Sequence, residues 1–336
     1  MTTTATSRLD LVSAVAAAIR APSVHNTQPW KFRVYDHEVD LYADRSRQLA
    51  VADPSGKSIR ISCGAAIFNL RMALAHLGFD AEVHLLPDRG DPDLLARIIA
   101  GTRRPATPAQ AACYAAIPKR HSNRGPFLDT AVPLDVRTRL VQAARAEGAW
   151  LDLMIGPPAL ATTAELIHAA DRILNGDPAY RAELASWTRR DHDVPDGVPS
   201  SVGGPAPDGG DLLARRDFGG PPRTPGREYE TDPLVGVLGS ATDSPLDELI
   251  AGQALQSVLL TATSAGLVAS LMSQPIDVPR IREQLRIGLR RYGSPQILLR
   301  AGYGVPGSPT PRRPVSDVLL TAAPPAQPIA THGPPR

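Results

Sequence analysis

The chain has 336 residues, 43% of them hydrophobic, which is enough to bury a substantial core in one large domain or two smaller ones. Its 36 basic and 34 acidic residues nearly balance to a formal charge of +2, so there is no general basic field of the kind that binds nucleic acid. Cys63 and Cys113 lie in apolar, helix-like surroundings, which predicts buried thiols rather than a disulfide. We therefore expect a protein of a reducing compartment.

No stretch of the sequence predicts secretion or a membrane span. Residues 1–10 lack a basic region followed by an apolar core and a cleavage site, which argues against a signal peptide. Residues 249–276 are uncharged, but their Gln, Ser and Thr content and Gly266 favour a helix buried between protein layers. We expect a cytoplasmic protein with no membrane partner and no nucleic-acid partner.

The first predicted elements are a helix over residues 11–20 and a strand over residues 31–35, joined by a turn that reads A-P-S-V-H-N-T-Q-P-W. In this turn Ser23, Asn26 and Gln28 are compact hydrogen-bonding groups without permanent charge, suited to the imide edge or the side-chain hydroxyls of a flavin. Local capping and turn chemistry is the alternative. Capping explains Ser23 and Asn26 well, but it does not explain why all three polar residues lie between two prolines and a tryptophan.

A long helix predicted at residues 64–78 recurs at residues 252–266. The two segments align without a gap, with glycine at both ends and Ala66 matching Ala254. Both predict a helix with a face of small residues, ended by glycine. Chance similarity between two amphipathic helices is the alternative explanation.

The surroundings of the two helices also match, because a predicted helix at residues 134–146 and a strand at residues 150–155 precede the second copy. Helix, strand and long helix thus occur twice in the same order. We predict two homologous halves, residues 8–105 and 112–315, whose long central helices pack together as the subunits of a dimer would.

Residues 120–124 read R-H-S-N-R and come between the predicted first half and the first helix of the second. In an extended turn Arg120, Ser122 and Arg124 project to one side, which places two guanidiniums around a hydroxyl, as a phosphate or a ribityl chain requires. A solvated linker is the alternative, and the motif alone does not exclude it.

Residues 191–231 are rich in proline and glycine and predict no regular structure. A connection of this length inside a compact domain is usually a lid or a binding loop, and a disordered insertion is the alternative. Asp191, His192 and Asp193 fit a solvated loop better than a metal site. The eight histidines show no ligand spacing with cysteine or carboxylate partners, so we predict no metal.

Near the C-terminus, Arg312 and Arg313 lie in the sequence T-P-R-R-P, where flanking prolines hold them extended. Such a stiffened pair can clamp a phosphate at low entropic cost, and a surface turn is the alternative. Residues 302–307 spell G-x-G-x-x-G, but Pro306 prevents the helix that a dinucleotide site needs. Residues 322–336 alternate alanine and proline and predict a flexible tail.

Taken together, the turn at residues 21–30, the R-H-S-N-R motif, the repeated helices and P-R-R-P resemble the FMN-dependent nitroreductase superfamily over residues 8–315. The long chain with two fused halves is similar to its mycobacterial Acg-type branch, in which one chain imitates the usual dimer. The resemblance implies an α+β, nitroreductase-like fold, internally duplicated, with antiparallel-rich sheets flanked by helices and with long central helices. It also implies a monomer that acts as a pseudo-dimer.

The resemblance further implies FMN as cofactor, one per chain, because the start of the first half offers only Arg8 in place of a second R-x-S-x-R motif. Arg120, Ser122 and Arg124 would hold the phosphate, the ribityl chain and the N1/O2 side of the ring. Arg312 and Arg313 would complete the phosphate site.

The same resemblance brings Ser23, Asn26 and Gln28 to the flavin from the other half. It also places a loop after the second repeat helix, where a backbone amide would approach flavin N5. That loop consists of Ser270, Leu271, Met272, Ser273 and Gln274. No catalytic side chain is assigned.

Three functions follow from these expectations. The first is an oxidoreductase that passes electrons from NAD(P)H through FMN to a nitroaromatic or quinone-type acceptor. The second is a protein that stores or sequesters FMN with little turnover, because members of the Acg-type branch carry a lid and residues 191–231 would keep nicotinamide from the flavin. The third is a scaffold that binds a different anion at its arginines.

Overall fold

The computed structural model describes residues 7–189 and 194–321. These residues form an α+β structure with two four-stranded antiparallel sheets flanked by helices, which confirms the predicted class. The predicted tail at residues 322–336 and the Asp191, His192 and Asp193 group lie outside the described residues. None of the helices in the described ranges has the length and apolarity that crossing a membrane would take.

The first sheet consists of two antiparallel strand pairs, one before and one after a long helix in the sequence. Their spatial order in the sheet is β1-β2-β4-β3. Its elements in chain order are α1 (Arg8–Ala18), β1 (Trp30–Val34), β2 (Glu38–Ala43), α2 (Lys57–His76), β3 (Phe79–Leu85) and β4 (Leu94–Arg103). A capping box starts α1, because the Ser7 hydroxyl accepts from the Asp10 amide while the Asp10 carboxylate accepts from the Ser7 amide. Buried residues alternate along β1, so one face of this sheet packs against the two helices.

The second sheet has the spatial order β5-β8-β10-β9. The remaining elements are α3 (Pro108–Ala116), α4 (Leu134–Ala146), β5 (Trp150–Met154), α5 (Pro157–Gly176), α6 (Pro178–Ser186), β6 (Thr188–Arg189), β7 (Val198–Pro199), β8 (Leu234–Ser240), α7 (Pro245–Ser264), β9 (Val268–Met272), α8 (Gln274–Asp277), α9 (Pro279–Gly288), β10 (Ser294–Gly302) and α10 (Val315–Val318). β8 is buried throughout because its side chains enter two hydrophobic clusters, with Leu238 in one and Val237 in the other.

The two sheets share one topology. In chain order β1, β2, α2, β3 and β4 correspond to β5, β8, α7, β9 and β10, and the spatial strand orders are then identical. Both long helices have 20 residues, and a constant offset of 188 residues superposes both ends. Each is followed by a glycine with positive φ, 84° at Gly78 and 77° at Gly266. This agreement supports the predicted duplication, which stays a prediction.

The long helices α2 and α7 cross where two glycines face each other. A Cβ on Gly64 would lie 2.3 Å from the carbonyl oxygen of Leu249, and one on Gly252 would lie 2.1 Å from that of Ile61. With the 188-residue offset, Gly64 corresponds to Gly252 and Ile61 corresponds to Leu249. The two contacts are therefore equivalent, as they would be across a two-fold axis. Only residues without a Cβ allow the helix backbones to approach this closely.

The uncharged stretch at residues 249–276 contains the buried helix that the sequence predicts, which ends at Ser264, and Gly266 in the left-handed region then leads the chain into β9. One expectation for the chain after α7 is wrong. The predicted loop at residues 270–274 is mostly strand, since β9 pairs with β10 and places Met272 opposite Leu298. Only Ser273 lies between β9 and α8.

Residues 194–231, called here the cover segment, pack against both halves. Their apolar side chains enter hydrophobic clusters, Leu213 with the second sheet and Phe218 with Leu49 from the first half. Near the end of the segment, Glu230 and Arg300 form an ion pair at 2.8 Å with side chains only 4% and 3% exposed. In the described part of the predicted lid, Leu213, Phe218 and Glu230 pack against the rest of the protein, whereas residues 224–228 are exposed.

Candidate functional site

A cavity lies between the cover segment, the turn after α1, the start of α2, the middle of α7 and the end of β9. It encloses about 1060 Å³, a volume that includes the space open to solvent at its mouth. Residues of both predicted halves line it. The first contributes Pro22, Ser23, Val24, His25, Lys57, Ser58, Ile61 and Ser62, and the second contributes Ser122, Arg124, Gly203, Arg215, Arg216, Phe218, Leu255, Ser270, Leu271, Met272, Ser273, Gln274, Ile276, Asp277, Gln296 and Ile297.

The structure brings most of the residues expected at a flavin to this cavity. Those that line it are Ser23, Ser122, Arg124, Ser270, Leu271, Met272, Ser273 and Gln274. The cavity lining does not include Asn26, Gln28, Arg120, Arg312 or Arg313. Eight of the thirteen residues expected at a flavin therefore line the cavity.

The turn after α1 has an unusual backbone where it meets the cavity. His25, Asn26 and Gln28 have φ of 48°, 57° and 52°, in the left-handed region that non-glycine residues seldom occupy. The Gln28 amide donates to the Ser23 hydroxyl at 2.9 Å, which holds the turn closed. Strained conformations of this kind persist where surrounding contacts impose them, and they concentrate at functional sites.

The side chains of Asn26 and Gln28 are occupied by contacts within the protein. Asn26 Nδ2 donates to the carbonyl of Gly197 at 2.9 Å, and Gln28 Nε2 donates to that of Pro195 at 2.8 Å. The Arg313 amide donates to Gln28 Oε1 at 2.8 Å. These amides attach the cover segment and the C-terminal turn to the cavity wall, and their expected contact with flavin stays a prediction.

Three guanidiniums, called here the arginine cluster, lie near one another: Arg124, which lines the cavity, and Arg120 and Arg312, which do not. Arg120 is 5% exposed and donates to the carbonyl of Arg20 at 3.2 Å, while its Nε has no hydrogen-bond partner. Arg124 donates to the carbonyl of Val202 at 3.2 Å, and Arg312 to carbonyl oxygens at the C-terminal end of α1. None of the three pairs with a carboxylate within residues 7–189 or 194–321.

The arginine cluster is electrostatically uncompensated. Burial, then repulsion by Arg124, lower the pKa of Arg120 to about 10. Burial and repulsion by Arg216 lower the pKa of Arg124 to about 10. Burial, then Arg120 and Arg20, lower the pKa of Arg312 to about 9. Buried cations without a counter-ion are costly, so this arrangement favours an anionic ligand.

Arg313 differs from the cluster, because its Nη1 lies 3.5 Å from the Asp44 carboxylate. Its Nη2 donates to the carbonyl of Asp317 at 2.8 Å. The charge of Arg313 is therefore already paired within the protein, and its expected role at a phosphate stays a prediction.

Gln274, which also lines the cavity, has a buried side-chain acceptor with no hydrogen-bond partner in the described residues. Its side chain is 1% exposed, and Oε1 makes no hydrogen bond within the described parts of the chain. A buried acceptor without a donor costs free energy, so a ligand N–H would stabilise this site.

Arg216 is a cavity residue that the sequence reasoning missed. Its Nε donates to Tyr180 Oη at 2.8 Å, and its Nη2 donates to Ser273 Oγ at 2.7 Å and Asp277 Oδ2 at 2.8 Å. Burial raises the pKa of Asp277, and Arg216 opposes that rise. An Arg-Arg pair inside the proline- and glycine-rich stretch was the available signal, but no local pattern showed which way the pair faces.

His25 also lines the cavity, with its ring 5.8 Å from that of Phe218 in an edge-on arrangement. Burial holds the pKa of His25 well below its usual value, and repulsion by Arg216 and Arg124 lowers it further. His25 is therefore a neutral imidazole at pH 7 and adds no charge to the site. In the described part of the chain, no group of His, Cys, Asp and Glu side chains is arranged to hold a metal ion.

The half-buried His121 provides a pH test of the arginine cluster. Burial, then Arg120, Arg312 and Arg20, lower its pKa from 6.5 to about 4. The unfolded chain therefore binds more protons between these values, and stability falls as pH falls from about 6.5 to about 4. As the pH falls over this range, the free energy of unfolding of His121→Gln should decrease by about 1–2 kcal/mol less than that of the wild type, after allowance for solvent screening.

Urea unfolding at pH 7 and pH 4.5 measures this difference. His37→Gln, at an exposed position, is the control and should follow the wild type. Identical acid losses in the wild type and His121→Gln would show that the cluster does not act on this imidazole.

Comparison with known proteins identifies relatives over most of the chain. No protein-family model matches it. A Mycobacterium tuberculosis protein named "Putative NAD(P)H nitroreductase Rv3131" is 36% identical over 322 residues, covering 90% of this chain and 88% of the relative. Another from the same organism, named "Putative NAD(P)H nitroreductase acg", is 32% identical and covers 93% of this chain and 95% of the relative.

Solved structures give a more distant likeness. An FMN-bound nitroreductase from Bacteroides fragilis is 15% identical, with a TM-score of 0.39, and covers 63% of this chain and 98% of that chain. A nitroreductase-like protein from Bacillus cereus is 16% identical, with a TM-score of 0.40, and covers 62% and 95%. The assignment rests on the mycobacterial relatives. At 32–36% identity over nearly the full length, this chain belongs to the Acg-type branch of the nitroreductase superfamily.

Proposed function

We propose that this chain is an FMN-dependent NAD(P)H oxidoreductase whose electron acceptor is a nitroaromatic or quinone-type compound, and that its cavity holds one FMN. The observation that supports this most directly is the arginine cluster, because Arg124 lines the cavity, Arg120 and Arg312 lie near one another, and none of the three pairs with a carboxylate in the described ranges. Bound FMN supplies the redox chemistry, since it accepts hydride from NAD(P)H and gives up electrons to the acceptor. The names of the mycobacterial relatives agree with this activity.

The available donors and acceptors fit FMN. Arg120 and Arg312 would bind the phosphate, because neither pairs with a carboxylate in the described part of the chain and their guanidiniums lie near each other. Arg124 and Ser122 line the cavity and would bind the ribityl chain and one edge of the ring. Gln274 Oε1 would accept from the imide N–H of the ring, which satisfies its missing partner.

The cover segment supports a second candidate, an FMN-sequestering protein with little turnover. It closes on Arg124 from two directions, because Val202 accepts from the guanidinium at 3.2 Å and Tyr229 donates to the Arg124 carbonyl at 2.7 Å. Hydride transfer needs the nicotinamide in near contact with the flavin, so a permanently closed segment would prevent it. The third candidate, a scaffold for another anion, uses the arginine cluster without flavin.

One titration distinguishes the three candidates. We expect the purified chain to take up one equivalent of FMN and, under anaerobic conditions, to lose its flavin absorbance within seconds of adding NADPH or NADH. Flavin that is bound but bleaches only with dithionite would favour sequestration. No binding of FMN would leave only the scaffold and would overturn the proposal.

We further infer that the halves, residues 8–105 and 112–315, act as the two subunits of a dimer do, so that the protein works as a monomer. The supporting observation is the symmetric crossing of Gly64 and Gly252, a subunit-like contact made within one chain. Sedimentation velocity of the FMN-loaded protein should give a single species at the mass of one chain.

A further inference from the structure

Arg216 reaches the cavity from the cover segment and is held in a fixed position there. Three hydrogen bonds from Nε and Nη2 attach it to Tyr180, Ser273 and Asp277, and the Arg216 and Asp277 side chains are only 10% and 7% exposed. Its third nitrogen, Nη1, has no hydrogen-bond partner in the described ranges. The guanidinium is thus oriented by the protein and retains a donor.

The positive field of Arg216 extends beyond its ion pair. Although Asp277 lies 2.8 Å away, Arg216 still lowers the pKa of Arg124 and of His25, which line the same cavity. Arg312, Arg120, Arg124 and Arg216 therefore form a series in which neighbouring guanidiniums repel each other. Arg216 is the member of the series that pairs with a carboxylate.

We propose that Arg216 and Asp277 set the reduction potential of the cofactor in this cavity, Arg216 raising it and Asp277 lowering it. The inference rests on the proposed function, because it requires bound FMN. Hydride transfer from NAD(P)H leaves NAD(P)⁺ and adds two electrons and one proton to the flavin, so the reduced ring carries a negative charge when it is not protonated further. A nearby cation stabilises that charge, and a nearby carboxylate opposes it.

Arg216 belongs to the cover segment and Asp277 to α8, so the two opposite charges come to the cavity from separate parts of the chain.

Opposite shifts in two variants test the proposal. The midpoint potential of the FMN-loaded protein is measured by spectroelectrochemistry for the wild type, Arg216→Gln and Asp277→Asn. We expect Arg216→Gln to lower the potential and Asp277→Asn to raise it. Each change should alter the affinity ratio of reduced to oxidised FMN by at least about tenfold, or about 30 mV for two electrons.

Two control variants separate charge from packing. Arg223→Gln breaks an ion pair with Asp211 inside the cover segment and does not line the cavity, so the potential should stay at the wild-type value. Tyr180→Phe removes the partner of Arg216 Nε without changing any charge, and it should also leave the potential unchanged.

Shifts of Arg216→Gln and Asp277→Asn in the same direction, or no shift in either, would overturn the inference. If Arg216→Gln does not fold, the rise in Asp277→Asn decides the outcome alone. Failure of the wild type to bind FMN contradicts the proposed function instead, so the two failures are distinguishable.

Discussion

Arg120→Gln is expected to weaken FMN binding by roughly 10- to 100-fold while leaving the affinity for riboflavin unchanged. Arg120 is buried, and in the described ranges it has no carboxylate partner and its Nε makes no hydrogen bond, so this donor and the charge are available to a phosphate. A charge-assisted hydrogen bond contributes about 1.5–3 kcal/mol, and each 1.4 kcal/mol is a tenfold change in affinity. Fluorescence titration with FMN and with riboflavin measures both affinities.

The same variant should make the ligand-free protein more stable. Glutamine removes a buried charge that repels Arg124 and Arg312, so the free energy of unfolding without ligand should rise by on the order of 1 kcal/mol. Arg20→Gln, at an exposed position beside the cluster, is the matched control and should change FMN affinity by less than about twofold. Equal losses of FMN and riboflavin affinity in Arg120→Gln would show that Arg120 does not bind the phosphate.

Gly252→Ala is expected to destabilise the protein by about 3 kcal/mol or more. The added Cβ would lie 2.1 Å from the carbonyl oxygen of Ile61 and 2.8 Å from the Cα of Gly64, both of them backbone atoms that cannot move without separating α2 from α7. Overpacking of this kind usually costs 1–3 kcal/mol even where side chains are free to adjust. The net loss of stability is this overpacking cost minus the stabilisation that alanine normally brings to a helix interior relative to glycine. Urea unfolding measures the change.

Gly288→Ala is the control for that experiment. Gly288 ends α9, and a Cβ there would meet no atom within 4 Å. The substitution should be neutral or stabilising by up to about 1 kcal/mol. A Gly252→Ala protein as stable as Gly288→Ala would contradict the close helix crossing.

Local patterns were sufficient to predict much of the fold. The helix predicted at residues 134–146 coincides with α4, and the strand predicted at residues 150–155 matches β5 to within one residue. Apolar periodicity and terminal glycines carry this information, because each depends only on neighbours in the chain. The repeated helices also appear, as α2 and α7, but each begins seven residues before its first glycine, so Gly64 and Gly252 lie within the helices, at the crossing.

Information about distant contacts was missing from those patterns. Asn26 bonds Gly197, 171 residues away, so its occupied amide was not visible in a turn motif read alone. The inward orientation of Arg216 likewise depends on Tyr180 and Asp277, which belong to separate helices. The sequence therefore predicted which residue types surround the cavity better than it predicted which side chains face into it.

The crossing of α2 and α7 and the wall of the cavity are formed in part by the same residues. Lys57, Ser58, Ile61 and Ser62 of α2 line the cavity, and Ile61 also supplies the carbonyl that Gly252 approaches. A ligand in the cavity thus acts as a third packing element that clamps the two long helices together. Its binding free energy adds to the stability of the whole chain by mass action. Abundance of the folded protein in a cell then depends on how much ligand the cell provides.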